Sequence, residues 1–346
     1  MTERGSRTAD YDFNLPAAQI AQTPLGQRDA SRLLIVDRKS ERITHGCFTD
    51  LVGLTMAHDA LVLNTTKVMR ARLLGKRASG AAAEILLLRA LGDGRFEAMV
   101  KPGGKLRPGR AIHIAPDFEA EILEITERGT RVVQLRSSLP VQEAIARHGH
   151  VPLPPYISRT DSAADAERYQ TVYAREEGSV AAPTAGLHFT PELLASMADR
   201  GVRRVDVVLH VGAGTFRPVE TDDPANHPMH EEWYSVDSKA ATALNETRSK
   251  GAQIWAVGTT TARTMESAGH EDGSFSANEG DTRLFIRPGY RFRAVDKLVT
   301  NFHLPRSTLI MLVAAFAGYD LTMRAYREAI NAGYRFYSYG DAMAVV

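Results

Sequence analysis

Two signatures decide the reading of this chain. The first is Ala181-Ala182-Pro183-Thr184-Ala185-Gly186-Leu187-His188-Phe189-Thr190, and the second is Leu209-His210-Val211-Gly212-Ala213-Gly214-Thr215-Phe216. The residues between them spell a helix. Thr190 is a good N-cap, Pro191 suits the first helical position, Glu192 complements the positive end and Gly201 is a natural stop. Val205 to Val211 is then a β-branched apolar run, read as a buried strand that empties into Gly212-Ala213-Gly214-Thr215. In α/β proteins ligands sit beyond the carboxyl ends of strands, where glycine lets the backbone approach them closely. This turn lacks the third spaced glycine of a dinucleotide fingerprint and the Gly-Lys-Ser/Thr of a P-loop, and Pro218 keeps a helix from starting cleanly after Thr215. By spacing alone it marks a small-molecule cleft of unstated chemistry. A tight turn that merely needs glycine would look the same.

The same pattern recurs downstream. Ile254 to Val257 is a strand leading into Gly258-Thr259-Thr260-Thr261 and a helix that carries Arg263 and Glu266. Leu298-Val299 is a strand leading into Thr300-Asn301-Phe302-His303-Leu304-Pro305. Three strands ending in polar signatures converge on one site if the sheet is parallel or mixed. Helices are further expected at Val141 to His148, Asp237 to Lys250, after a Ser307 cap through Phe316, and after an Asp320 cap to near Gly333; Leu33 to Val36, Leu61 to Leu63 and Leu284 to Ile286 read as strands. Upstream, Asn64-Thr65-Thr66-Lys67 is a turn or a polar cluster facing a ligand.

From about Ala71 to Leu135 the texture changes to short strand-like runs punctuated by glycine and proline, with no helix pattern between them. Such spacing predicts a small antiparallel barrel or sandwich. The expected fold is an α/β main domain with a mixed sheet, residues 1–66 and 150–346, interrupted by an inserted antiparallel β-barrel, residues 67–149. The prolines at 152, 154 and 155 mark the return.

The chain has 346 residues, enough for two domains, with 42 Lys plus Arg against 41 Asp plus Glu. Bulk charge therefore points to no polyanion, and an RNA partner must be met by a local patch. Lys101, Lys105, Arg107 and Arg110 form one acid-free stretch, and Lys67, Arg70, Arg72, Lys76 and Arg77 another. The single cysteine, Cys47, excludes an internal disulfide and a thiolate-rich metal site, and fits a reducing cytoplasm. The N-terminus has no signal-peptide core, and the longest apolar run, Leu309 to Ala317, is too short to span a bilayer, so no membrane partner is expected. His227 and His230 with nearby carboxylates are too irregular for a closed zinc site, and no metal is expected.

The chain resembles the S-adenosylmethionine:tRNA ribosyltransferase-isomerases of queuosine biosynthesis. The likeness lies in Tyr11-Asp12 with Leu15-Pro16, Arg28-Asp29 with Ser31 to Leu34, Ala182 to Phe189, Leu209 to Phe216, Val257 to Thr260, Thr300 to Leu309, and Tyr334 to Met343, in family order over nearly the whole chain. One departure is Asn64-Thr65-Thr66-Lys67, where the family reads Asn-Asp-Thr-Arg. A carboxylate is missing at Thr65, so no catalytic role is given to it, and Lys67 cannot reproduce a bidentate arginine contact.

The resemblance implies a large α/β domain with a small inserted β-barrel, and a monomer needing no metal or further cofactor, S-adenosylmethionine being a substrate. It implies transfer of the ribosyl part of S-adenosylmethionine to the aminomethyl group of 7-aminomethyl-7-deazaguanine at the tRNA wobble position. The ribose rearranges to an epoxycyclopentanediol, giving epoxyqueuosine, while adenine and methionine leave. Such chemistry needs a base at ribose C5′, an acid for adenine and a neutral attacking amine. Groups with pKa near 7 suit these transfers. The candidates are His188, His210, His303 and Asp341, with Glu231 a second carboxylate. Substrate-binding positions implied by the matching motifs and strand ends are Arg32, Asn64, Thr184, Gly186, Gly212, Gly214, Thr215, Gly258, Thr259, Thr260, Glu266 and Asn301. The anticodon arm of the tRNA is expected on Lys101, Lys105, Arg107 and Arg110, with Arg335 as a further cation and the aromatics from Tyr334 to Tyr339 as partial stacking surface. Two other readings stand beside this one: an RNA-binding module without chemistry, and an adenine-nucleotide enzyme acting on a small molecule.

Overall fold

The computed structural model describes residues 4–212, 214 and 219–346; Thr215 lies outside them. In chain order the main domain starts with β1 (Arg32–Val36), β2 (Ile43–Cys47), α1 (Leu51–Leu54), β3 (Ala60–Asn64) and β4 (Thr66–Val68). The insert follows as β5 (Arg72–Arg77), β6 (Ala82–Gly92), β7 (Arg95–Lys101), β8 (Ala111–Ala115), β9 (Phe118–Ile125), β10 (Arg131–Ser137) and α2 (Val141–His148). Its strands close into an antiparallel barrel in the order β10-β7-β6-β5-β8-β9. Period-2 alternation turns Ile85, Leu87, Phe96, Ala98, Phe118, Ala120 and Ile122 into one core. Closure leaves no edge strand to protect. The barrel's first strand hides in the basic stretch: Leu73 faces the core while Arg72, Lys76 and Arg77 stay outside. The insert begins later than residue 67, because β4 pairs in parallel with β11 (Glu176–Ser179) of the main domain. Its two ends are tied together at Arg72 and His150 by reciprocal backbone hydrogen bonds of 2.8 and 3.3 Å.

Beyond the insert come α3 (Ala163–Arg168), then β11, α4 (Pro191–Asp199), β12 (Arg203–Leu209), β13 (Glu232–Val236), α5 (Ser238–Ser249), β14 (Ile254–Val257), α6 (Thr259–Ala268), β15 (Asn278–Thr282), β16 (Lys297–Asn301), α7 (Thr308–Ala317), α8 (Tyr319–Asn331) and β17 (Ala342–Val345). The main sheet runs β15-β13-β12-β3-β14-β16-β17-β1-β2. Its centre, β12-β3-β14-β16, is parallel, and β13, β15 and β2 extend it antiparallel. Central strands are buried on both faces, which is why they read as continuous apolar runs. Ala60, Val62, Ile254 and Ala256 pack on the side of α5 to α8, while Leu61, Leu63, Trp255 and Val257 pack against Phe48, Leu51, Leu193 and Met197. Capping follows the local sequence: Thr190, Asp237 and Ser307 accept from the N–H of Leu193, Ala240 and Ile310.

Two expectations of secondary structure are corrected. Leu284 to Ile286 is not a strand; the strand is β15, and the Leu284 carbonyl instead accepts from Arg263 Nε at 3.0 Å. Asp320 does not cap α8: Gly318, at φ +89°, holds that place, and Asp320 sits in the first turn. The C-terminal tail ends in a buried strand, β17, parallel to β1 and antiparallel to β16.

Candidate active site

Since β12, β14 and β16 are parallel, the three polar signatures emerge on one edge of the sheet, as the sequence predicts. Two hollows meet there. One, about 610 Å³ including its open mouth, is lined by Ala181 to Ala185, Val211, Gly258 to Thr260, Thr300 to Leu304 and Tyr337. The other is an interdomain cleft of about 1630 Å³ including open space. Its main-domain wall contains Glu177, Gly178, His210, Gly212, Gly214 and the run from His230 to Trp233; its barrel wall contains Met69, Arg89, Glu97, Met99, Arg128 and Thr130. Val211 belongs to both.

His210 stands on the cleft side. Its ring stacks on Trp233, with centroids 5.2 Å apart, and Nδ1 lies 2.9 Å from Thr66 Oγ1. Thr66 in turn meets Ser179 Oγ at 2.7 Å, and that oxygen accepts from the Val211 N–H at 2.8 Å. A side chain at residue 178 would strike the imidazole at 2.6 Å, so the bare Gly178 backbone leaves the ring its place. Burial lowers the His210 pKa, against the opposing pull of Glu176, which keeps the ring neutral near pH 7. His303 lines the smaller hollow with Nε2 2.7 Å from Thr300 Oγ1; burial lowers its pKa to about 3.

Below the cleft lies a buried ion pair. Glu232 takes Arg263 Nη1 on one oxygen and accepts from the Gly212 N–H at 2.8 Å on the other. The glycine turn is thereby pinned to the helix after β14. A Cβ on Gly214 would lie 2.2 Å from the His230 ring, so that position tolerates no side chain as the structure stands. Glu231 carries a bridge across the cleft: it faces Arg128 of the barrel at 3.7 Å and Arg283 at 2.5 Å.

Several predicted site residues line neither hollow, and their partners explain why. His188 is fully enclosed, stacked on Phe48, with Nδ1 2.7 Å from Ser31 Oγ and Nε2 3.1 Å from Asn301 Nδ2. Burial holds its pKa at about 3. Both ring nitrogens are engaged, one of them with Asn301 of the smaller hollow. Asp341 accepts from the N–H groups of Arg32 and Arg335 at 3.0 and 2.8 Å, joining β1 to the tail. Arg32 lies over the Tyr334 ring at 3.8 Å and donates to Ala332 O. Asn64 bridges β3 to β12 through both the N–H and C=O of Leu209. Glu266 accepts from the N–H groups of Arg293, Ala294 and Val295 and from Tyr290 Oη; burial raises its pKa against those bonds. Gly186 is a packing glycine whose Cβ would meet Tyr173 Oη at 2.1 Å. Arg335 is half-buried and bonded to Thr23 O, and Tyr334, Phe336, Tyr337 and Tyr339 are all buried.

Thr184, Gly212, Gly214, Gly258, Thr259, Thr260 and Asn301 do line the hollows. Lys101, Lys105, Arg107 and Arg110 are exposed on the barrel, and none is ion-paired among the described residues. Thr66 lies in the tetrad that the sequence offers as a turn or a polar cluster, whereas Ser179, Trp233, Glu232 and the barrel wall of the cleft were missed. The dense run from His227 to Tyr234 was the only signal for part of it. Among the described residues no three His, Cys, Asp or Glu side chains are grouped to hold a metal ion.

A family model described as "Queuosine biosynthesis protein" matches residues 8–345. The chain belongs to that family. The S-adenosylmethionine:tRNA ribosyltransferase-isomerase of Symbiobacterium thermophilum is 52% identical over 342 residues, 98% of this chain and 100% of that one. That of Syntrophomonas wolfei is 51% identical over 344 residues, covering 98% and 97%. A solved structure of S-adenosylmethionine tRNA ribosyltransferase from Thermotoga maritima matches with a TM-score of 0.56 at 40% identity, covering 97% of this chain and 99% of that one. The Thermotoga maritima ribosyltransferase-isomerase reaches 48% when aligned by sequence rather than by superposition. The family makes this chain an enzyme of the transferase class, and the mixed-sheet domain with its closed barrel is the architecture the resemblance implies.

Proposed function

We propose that this protein transfers and isomerises the ribosyl moiety of S-adenosylmethionine onto 7-aminomethyl-7-deazaguanine at the wobble position of tRNA, giving epoxyqueuosine and releasing adenine and methionine. The observation that carries the reading is the junction at Val211, where a small-molecule hollow at three parallel strand ends opens beside a cleft between two domains. A ribosyl transfer from a small molecule to an RNA base requires those two spaces to touch. A wobble base splayed out of the anticodon loop would enter from the cleft, with its amine directed at the ribose.

His210 is the best-placed proton acceptor, because a half-buried neutral imidazole at the cleft wall can take a proton either from C5′, acidified by the adjacent sulfonium, or from the ammonium of the incoming base, freeing the amine to attack. His303 faces the smaller hollow, where its neutral ring can help to orient S-adenosylmethionine. The exposed cations of the barrel, Lys101, Lys105, Arg107 and Arg110, give the anticodon arm its phosphate contacts. The protein acts as a monomer in the cytoplasm and needs no metal or further cofactor.

The test is incubation with adenine-labelled S-adenosylmethionine and tRNA carrying the deazaguanine precursor. Adenine release that depends on that tRNA is the expected result. Release without RNA would make this a small-molecule enzyme, and RNA binding without release would make it a binding module.

A further inference from the structure

We infer that the smaller hollow takes the α-amino-acid end of S-adenosylmethionine, with the N-terminus of α6 receiving its carboxylate and Asn301 Oδ1 its ammonium. The inference rests on the proposed use of S-adenosylmethionine and goes on to fix which way round the substrate lies.

Four observations point the same way. The ten-residue helix α6 begins without a side-chain cap, and the N–H groups of Thr259, Thr260 and Thr261 have no hydrogen-bond partner among the described residues. Thr259 and Thr260 line the hollow, with the positive end of the helix dipole behind them. The N-cap is Gly258, at φ +95°, where a side chain would be strained and would project between Thr260 Oγ1, 3.6 Å from its Cβ, and the Ala185 methyl, 3.8 Å away. Glycine keeps the approach to those N–H groups open. Thr260 Oγ1, in a residue 7% exposed, has no partner and can donate to the same anion.

The fourth observation separates one anion from another. Asn301 is 1% exposed, and its Nδ2 donates to Tyr337 O at 3.0 Å and to His188 Nε2 at 3.1 Å. Two acceptors for Nδ2 fix the amide orientation and leave Oδ1, in a residue that lines the hollow, a buried acceptor with no partner among the described residues. The ligand must therefore bring a donor as well as an anion. A phosphodiester has no donor, and adenine has donors but no negative charge. The methionyl zwitterion has both, and Tyr156, Phe302 and Leu309 supply apolar wall for its methylenes.

The test is isothermal calorimetry of the full chain with S-adenosylmethionine and with its decarboxylated analogue, for wild type and Thr260→Val. In parallel, adenine and inorganic phosphate are titrated as competitors. Wild type is expected to bind S-adenosylmethionine at least 10-fold tighter than the decarboxylated form. That ratio should shrink several-fold in Thr260→Val, while adenine competes equally with both proteins. Equal affinity for the two ligands in wild type would overturn the inference while leaving the reaction intact. So would a Thr260→Val effect confined to adenine, which would mean the substrate lies the other way round. Inorganic phosphate displacing S-adenosylmethionine more readily than adenine does would overturn the inference and assign the helix end to an RNA phosphate. No binding of S-adenosylmethionine at all would remove the proposed function itself, a different failure from these.

Discussion

Acidification from pH 7 to pH 5 should destabilise the main domain by an amount the two buried histidines set. His188 and His303 are held at a pKa of about 3 by burial, whereas an unfolded histidine titrates near 6.5. The unfolded chain therefore binds more protons than the native one between those values, and stability falls as pH drops through 6.5. At pH 5 each unfolded imidazole has gained about 2 kcal/mol by protonation that the folded one cannot gain, so the pair costs ~4 kcal/mol. The figure does not depend on the exact folded pKa as long as that stays below about 4. Burial has raised the pKa of Glu266, which works in the opposite sense, so wild type alone does not isolate the histidines. His188→Gln does: its slope of unfolding free energy against pH should be smaller than that of wild type by one proton, about 1.4 kcal/mol per pH unit between pH 5 and 6. Urea unfolding followed by tryptophan fluorescence is suited to this, since Trp233 and Trp255 both lie in the main sheet. A His188→Gln slope equal to that of wild type would refute the reasoning.

Arg263→Leu should cost about 3–5 kcal/mol, because it leaves Glu232 buried without its cation; urea unfolding reads it, and Glu232→Gln in the same chain should recover most of the loss. His210→Ala should lower single-turnover ribosyl transfer about 10²-fold with the fold retained by circular dichroism, as for a lost general base; near-normal rates would remove His210 from the chemistry. Replacing Lys101, Lys105, Arg107 and Arg110 together by alanine should weaken tRNA binding and flatten its log–log salt dependence by about 0.7 to 0.9 per lost phosphate contact, without changing S-adenosylmethionine affinity. An unaltered salt slope would place the RNA elsewhere.

What the sequence disclosed was mostly local. A cap such as Thr190 or Ser307 is a hydrogen bond across three residues, and its grammar is written in adjacent letters. The convergence of Gly258, Asn301 and Val211 was legible because glycine and polar residues at strand ends signal a sheet edge. The roles of conspicuous residues were not legible, because their partners are remote. His188 reaches Asn301 and Asp341 reaches Arg32 over long stretches of chain, so a motif shows that the residue matters without showing whether it touches a ligand or holds a strand. The cleft's barrel wall was hidden for the same reason: Arg89, Met99 and Arg128 face the main domain only once the barrel has closed. Strand β5 was obscured by its own cations, which point outward around a buried Leu73.

The most direct measurement of the central claim is mass analysis of the wobble nucleoside, recovered from precursor-bearing tRNA after incubation with the protein and S-adenosylmethionine carrying ¹³C in its ribose. The account predicts that the 7-aminomethyl-7-deazaguanine nucleoside gains one labelled five-carbon unit, with one adenine and one methionine released per unit transferred. Release of adenine and methionine with an unlabelled, unchanged wobble nucleoside would contradict it.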